Sequence, residues 1–90
     1  MPRFIIERDI PKAGSLTPDE LRAISKKSRE VLCKLGTDIQ WIHSYVAGDK
    51  IYCIYIAPSK ELIMEHAKLG GFPANRITEI AAVIEPFTAE

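Results

Sequence analysis

Cysteine and histidine are scarce in this chain, with two of each in 90 residues. Cys33 and Cys53 are too few and too far apart for a disulfide framework or a CxxC motif. A reduced, cytoplasmic protein is therefore expected. Excess charge of one sign is also missing. Twelve Lys and Arg balance twelve Asp and Glu, which argues against the basic footprint of a nucleic-acid binder. No apolar run approaches the roughly 20 residues that cross a bilayer. The opening Met1-Pro2-Arg3-Phe4 carries neither the apolar core nor the cleavage pattern of a secretory signal. GxGxxG and P-loop phosphate motifs are absent, as is the HExxH zinc motif. Neither nucleic acid nor membrane is an expected partner.

What is present is globular in kind: 47% apolar and 27% charged residues. The length suits one domain, residues 1–90, and such a small domain is marginal unless it packs well or oligomerises. Arg3 to Arg8 is a short, β-branched run that predicts a strand. Thr17, Pro18 and Glu20 form a capping box, with Leu16 and Leu21 at the staple positions. The helix they start should run to about Leu35 and stop at Gly36, with Leu21, Ile24, Ser28, Val31, Leu32 and Leu35 on one stripe. Ser25 and Ser28 narrow that stripe near its middle.

Trp41 to Val46 and Ile51 to Ile56 read as a hairpin turning at Gly48-Asp49. Ser59 caps a second helix to about Leu69, ended by Gly70-Gly71, with Leu62, Ile63, His66, Ala67 and Leu69 as its stripe. A last strand is expected from Ile77 to about Ile84. The order β-α-β-β-α-β is the ferredoxin-like, α+β pattern: an antiparallel four-stranded sheet with two helices on one face.

The hairpin is apolar on both faces. Pairing Val46 with Ile51 sets His43 opposite Ile54, Tyr45 opposite Tyr52 and Trp41 opposite Ile56, all on one side of the sheet. Phe4, Ile6, Ile42, Val46, Ile51 and Cys53 are assigned to the helix side. The open side then presents Ile5, Glu7, Trp41, His43, Tyr45, Tyr52, Ile54 and Ile56. A monomer seldom tolerates so large an apolar patch. A second copy packed on the open face would hide it, closing a dimeric α+β barrel.

Such a barrel would carry a pocket walled by Trp41, Tyr45, Tyr52 and Cys53, with room for a small molecule. His43 is the leading functional residue, because imidazole binds metals and moves protons near neutral pH. Glu7 would be its base, co-ligand or orienting partner. His66 reads either as a core histidine bonded to Ser44 or Tyr55, or as a metal ligand. Cys53 reads as a small buried residue, and neither cysteine has a basic neighbour to activate it.

Several blocks carry a resemblance: Met1-Pro2 with Phe4-Ile5-Ile6-Glu7-Arg8, Trp41 to Val46, Tyr52-Cys53-Ile54-Tyr55 into Ala57-Pro58, and His66-Ala67 with Gly71-Phe72-Pro73. Together they resemble a family of small bacterial proteins, long filed as a domain of unknown function and described as nickel-responsive or nickel-binding. The resemblance implies a ferredoxin-like dimer and a transition metal, nickel, as cofactor. Nickel suits imidazole and carboxylate ligands. On this reading His43, His66 and Glu7 are the metal-ligand candidates, with Asp49 beside them. The two histidines point to opposite sides of the sheet, so ligands from a partner or a dimer seam would be needed. The alternative is an enzyme without a cofactor, by analogy with other dimeric α+β barrels that act as isomerases and monooxygenases. There His43 would be the acid/base on a small aromatic substrate.

Overall fold

The computed structural model describes residues 1–36 and 38–89. Strand β1 (Arg3–Asp9) leads through a short 3-10 turn at Ala13–Ser15 into helix α1 (Pro18–Leu35). Strands β2 (Gln40–Ala47) and β3 (Lys50–Ile56) form the hairpin, followed by helix α2 (Lys60–Gly70) and strand β4 (Arg76–Glu79). The sheet order is β2-β3-β1-β4 and all three pairings are antiparallel. This is the ferredoxin-like arrangement. β1 and β3 lie at the centre, and β2 and β4 are the edges.

The local signals in the sequence account for these boundaries. The Thr17 hydroxyl accepts from the Glu20 amide at 3.1 Å, and the Glu20 carboxylate accepts from the Thr17 amide at 3.0 Å. The bond from the Thr17 amide, followed by the Thr17 side chain, holds the Glu20 carboxyl below the usual carboxylate range. Ser59 caps α2 through the Leu62 amide. Gly48 and Gly71 adopt φ of 59° and 70°, the left-handed region where a Cβ is strained. One turns the hairpin and the other ends α2.

The core lies between the helices and one sheet face. Phe4 and Ile6 of β1, with Ile51, Cys53 and Tyr55 of β3, point to it. Ile63 and Leu62 of α2 and Leu32 and Leu35 of α1 pack against them. A fully buried side chain such as Ile6 or Ile63 contributes roughly 1.5–3 kcal/mol by leaving water.

Two expectations about strands are corrected. The first concerns Trp41. His43 pairs with Ile54 and Tyr45 with Tyr52, as the alternation requires, but the register slips between Trp41 and His43. Trp41 pairs with Tyr55 instead of Ile56, and Ile42 is the extra residue of a β-bulge. One extra residue exchanges faces on one side of it. Trp41 therefore packs against the helix-side core, while Ile42 lines the open face. The second concerns the last strand, which ends at Glu79 rather than near Ile84. Its partner is β1, and the Ile80 amide already bonds the carbonyl of Arg3, where β1 begins. Beyond Ile80 there is no further length of β1 to pair with.

Trp41→Ala is consequently expected to cost fold stability, about 2–3 kcal/mol, somewhat less than truncating a fully buried aromatic. Urea unfolding followed by circular dichroism reads that loss. The oligomeric state should be unchanged.

Candidate functional site

The sequence-derived candidates fall on two separate surfaces. On the open face, His43 and Tyr45 of β2 meet edge to face, with ring centres 5.0 Å apart at 77°. They share a cavity of about 360 Å³ with Ile42, Ile54 and Ile56. Tyr45 is 60% exposed and Ile42 41%, an unusual display for large apolar-bodied side chains. Alternation along a strand puts Tyr52 on this face as well, opposite Tyr45.

Glu7 is also on the open face, but it is not beside His43. It pairs with Tyr52, which pairs with Tyr45. His43 stands one row away and two strands across, on the order of 12 Å between Cα positions. The Glu7 carboxylate is instead held by Lys50 Nζ at 3.4 Å and Arg76 Nη1 at 3.9 Å. The Glu7 hydrogen bond, followed by the charge of Asp9, pushes the Lys50 ammonium above its usual range. Asp49 is anchored in a turn, where its side chain accepts from the Lys12 amide at 2.8 Å.

The helix side holds the other candidates. His66 is completely buried on α2. Its Nε2 lies 3.3 Å from the Ser28 hydroxyl, which in turn lies 3.4 Å from the Tyr55 hydroxyl. The hydrogen-bond partner is thus Ser28 of α1, correcting the expectation of Ser44 or Tyr55. Ser44 instead accepts from the Trp41 indole at 2.9 Å. The imidazole packs against Tyr55 on one side and stacks on Phe72 on the other, at 5.3 and 5.9 Å. Cys53 is buried and Cys33 exposed. Trp41 and Cys53 line an inner cavity of about 70 Å³, far from the pocket with Tyr45 in which they were expected.

Burial, reinforced by the nearby charge of Arg8, holds His66 below the usual histidine range, against the pull of the Ser28 backbone. The unfolded imidazole takes up a proton near its ordinary value of 6.5, while the folded one resists. This stabilisation is complete above that pH and is lost as pH falls from about 6.5 toward the depressed folded value. The thermal midpoint should therefore fall between about pH 7.5 and pH 5. In His66→Phe that part of the fall should disappear.

The residue that sequence reasoning missed is Arg8. It is 3% exposed on the helix side. Its Nε donates to the Cys53 sulfur at 3.4 Å, which corrects the expectation that neither cysteine has a basic neighbour, and Nη1 donates to the Pro73 carbonyl at 2.6 Å. The guanidinium lies 5.5 Å from the Phe72 ring centre. The signal was available, since Phe4, Ile6 and Arg8 alternate on one face of β1.

The model of the nickel responsive protein SCO4226-like family matches residues 4–80. The chain belongs to this family. The crystal structure of SCO4226 from Streptomyces coelicolor A3(2) superposes on it with a TM-score of 0.74. That alignment covers 91% of this chain and 99% of that one at 19% identity, and it supports the shared ferredoxin-like fold. No curated protein matches the chain. The matched range spans every strand and both α-helices of the fold. No helix among the described residues is long and apolar enough to cross a membrane.

Proposed function

We propose that this member of the nickel responsive family is a homodimer, paired through its open sheet face, that binds nickel at the seam around His43. The observation that carries this reading is the position of His43. It stands in a cavity on an apolar, exposed sheet face, beside Tyr45. An apolar face of this kind is stabilised by covering it. In a two-fold dimer the same patch serves both subunits, so each His43 would be joined at the seam by groups from the other copy.

One protomer is not a sufficient nickel site. Among the described residues no three His, Cys, Asp or Glu side chains converge on a point. His66 is an unsuitable ligand, being enclosed on the other side of the sheet and bonded to Ser28. Glu7 is occupied by two cations. The same ion pairs weaken the enzyme reading, which needs Glu7 free to assist His43. A pair of His43 imidazoles, completed by water or by other groups at the seam, suits nickel's preference for nitrogen and oxygen ligands.

The test is calorimetric titration of tag-free, chelator-treated protein with nickel, with zinc and cobalt for comparison. Light scattering reads the oligomeric state of the same samples. Saturable nickel binding at a fixed ratio per dimer is expected, and His43→Ala should lose it while remaining a folded dimer. Undiminished binding by His43→Ala would remove His43 from the site.

A further inference from the structure

Arg8 has a feature that the nickel reading leaves unused. It is a charged side chain almost wholly removed from water. Arginine keeps its charge in proteins, and a buried charge is costly unless an opposite charge meets it. Among the described residues the ion pairs are made by Arg22, Lys50 and Arg76, and no Asp or Glu pairs with Arg8. Two of its nitrogens bond to neutral acceptors, and the third, Nη2, is buried without a partner.

Arg8 also lines the inner cavity between α1 and the sheet. About 70 Å³ of space there is several times what one water needs. The hydroxyls of Ser28 and Ser44 and the apolar chains of Leu21, Ile24 and Ile51 contribute to the wall. Charge, hydrogen-bonding groups and apolar wall thus meet around one small space. Its walls are mostly apolar, so an organic tail gains more there than a hydrated inorganic ion does.

We propose that this cavity binds a small monocarboxylate with a short apolar tail, its carboxylate paired with the Arg8 guanidinium. The pairing supplies the counter-charge that Arg8 lacks, a charge-assisted contact of the kind arginine favours with carboxylates. The tail replaces water against α1. The site lies across the sheet from His43, so it stands or falls apart from the nickel proposal.

Butyrate is a suitable probe, and Trp41, the chain's one tryptophan, lines the cavity and reports its filling. Titration with butyrate should change Trp41 fluorescence saturably and raise the thermal midpoint. Butanol, with the same tail and no charge, and chloride, with charge and no tail, should each bind at least tenfold more weakly. Arg8→Met should weaken butyrate at least tenfold. If that variant fails to fold, Ser25→Leu decides, because it keeps Arg8 and fills the cavity from α1; it too should lose the response. No saturable response to butyrate in the native chain would overturn the proposal. Equal binding of butanol or chloride, or undiminished binding by Ser25→Leu, would do the same.

Discussion

Ile54→Glu should split the proposed dimer into folded monomers and remove saturable nickel binding with it. Ile54 sits on central strand β3, between His43 on β2 and Ile5 on β1. Its side chain lines the open-face cavity. In a solitary protomer the new carboxylate reaches water and costs little. At a closed seam it would be buried without a partner, and two-fold symmetry would place it there twice. An uncompensated buried charge costs on the order of 3–5 kcal/mol. With one such charge from each subunit, association weakens roughly ten-thousand-fold or more. Sedimentation velocity reads the dissociation and far-ultraviolet circular dichroism the intact fold. A variant that stays dimeric would show that the open face is not the seam.

Ile6→Ala tests the opposite face of the sheet. Ile6 is completely buried in β1, pairing with Cys53 on β3 and Ile77 on β4. Truncating a buried isoleucine costs about 2–5 kcal/mol, through lost transfer energy and the cavity left behind. A folded domain of this size holds only about 5–13 kcal/mol at the usual stability per residue. The variant should therefore lose a large part of its stability, seen as a lower urea midpoint at fixed protein concentration. Ile5→Ala, one residue away on the open face, should cost the protomer much less and weaken the dimer instead. Similar losses of protomer stability in both variants would contradict the division of β1 into an inner and an outer face.

Much of this architecture was legible in the residues. The capping box at Thr17, the serine cap at Ser59 and the glycines at 36, 48 and 71 set the boundaries through local bonding and backbone freedom, and these survive folding unchanged. The pairings of His43 with Ile54 and Tyr45 with Tyr52 followed from alternation once the turn was placed. What the sequence hid was non-local. The bulge at Ile42 has no glycine or proline to announce it, and both of its flanks are apolar, so nothing in the pattern opposed the wrong face for Trp41. The end of β4 depends on where β1 begins, a fact about the partner strand. The partner of His66 lies on α1, 38 residues away.

The site was legible to a smaller extent. His43 and Tyr45 emerge together on the open face, as the pairing required. Glu7 shares that face but is separated from His43 by a strand and tied to Lys50 and Arg76, because alternation fixes the face without fixing the neighbours. The α1 stripe narrows at Ser25 and Ser28. In the structure both serines line the inner cavity, across from the core positions of β1 and β3. Arg8 completes that cavity, and only its parity with Phe4 and Ile6 pointed there.

Anomalous diffraction at the nickel edge, from crystals of chelator-treated protein reloaded with one equivalent of nickel, locates the metal. A nickel peak is expected in contact with the His43 imidazole, between two chains packed through their open sheet faces. Nickel found away from His43, or at His43 in a chain whose open face is bare, would contradict the proposed seam site.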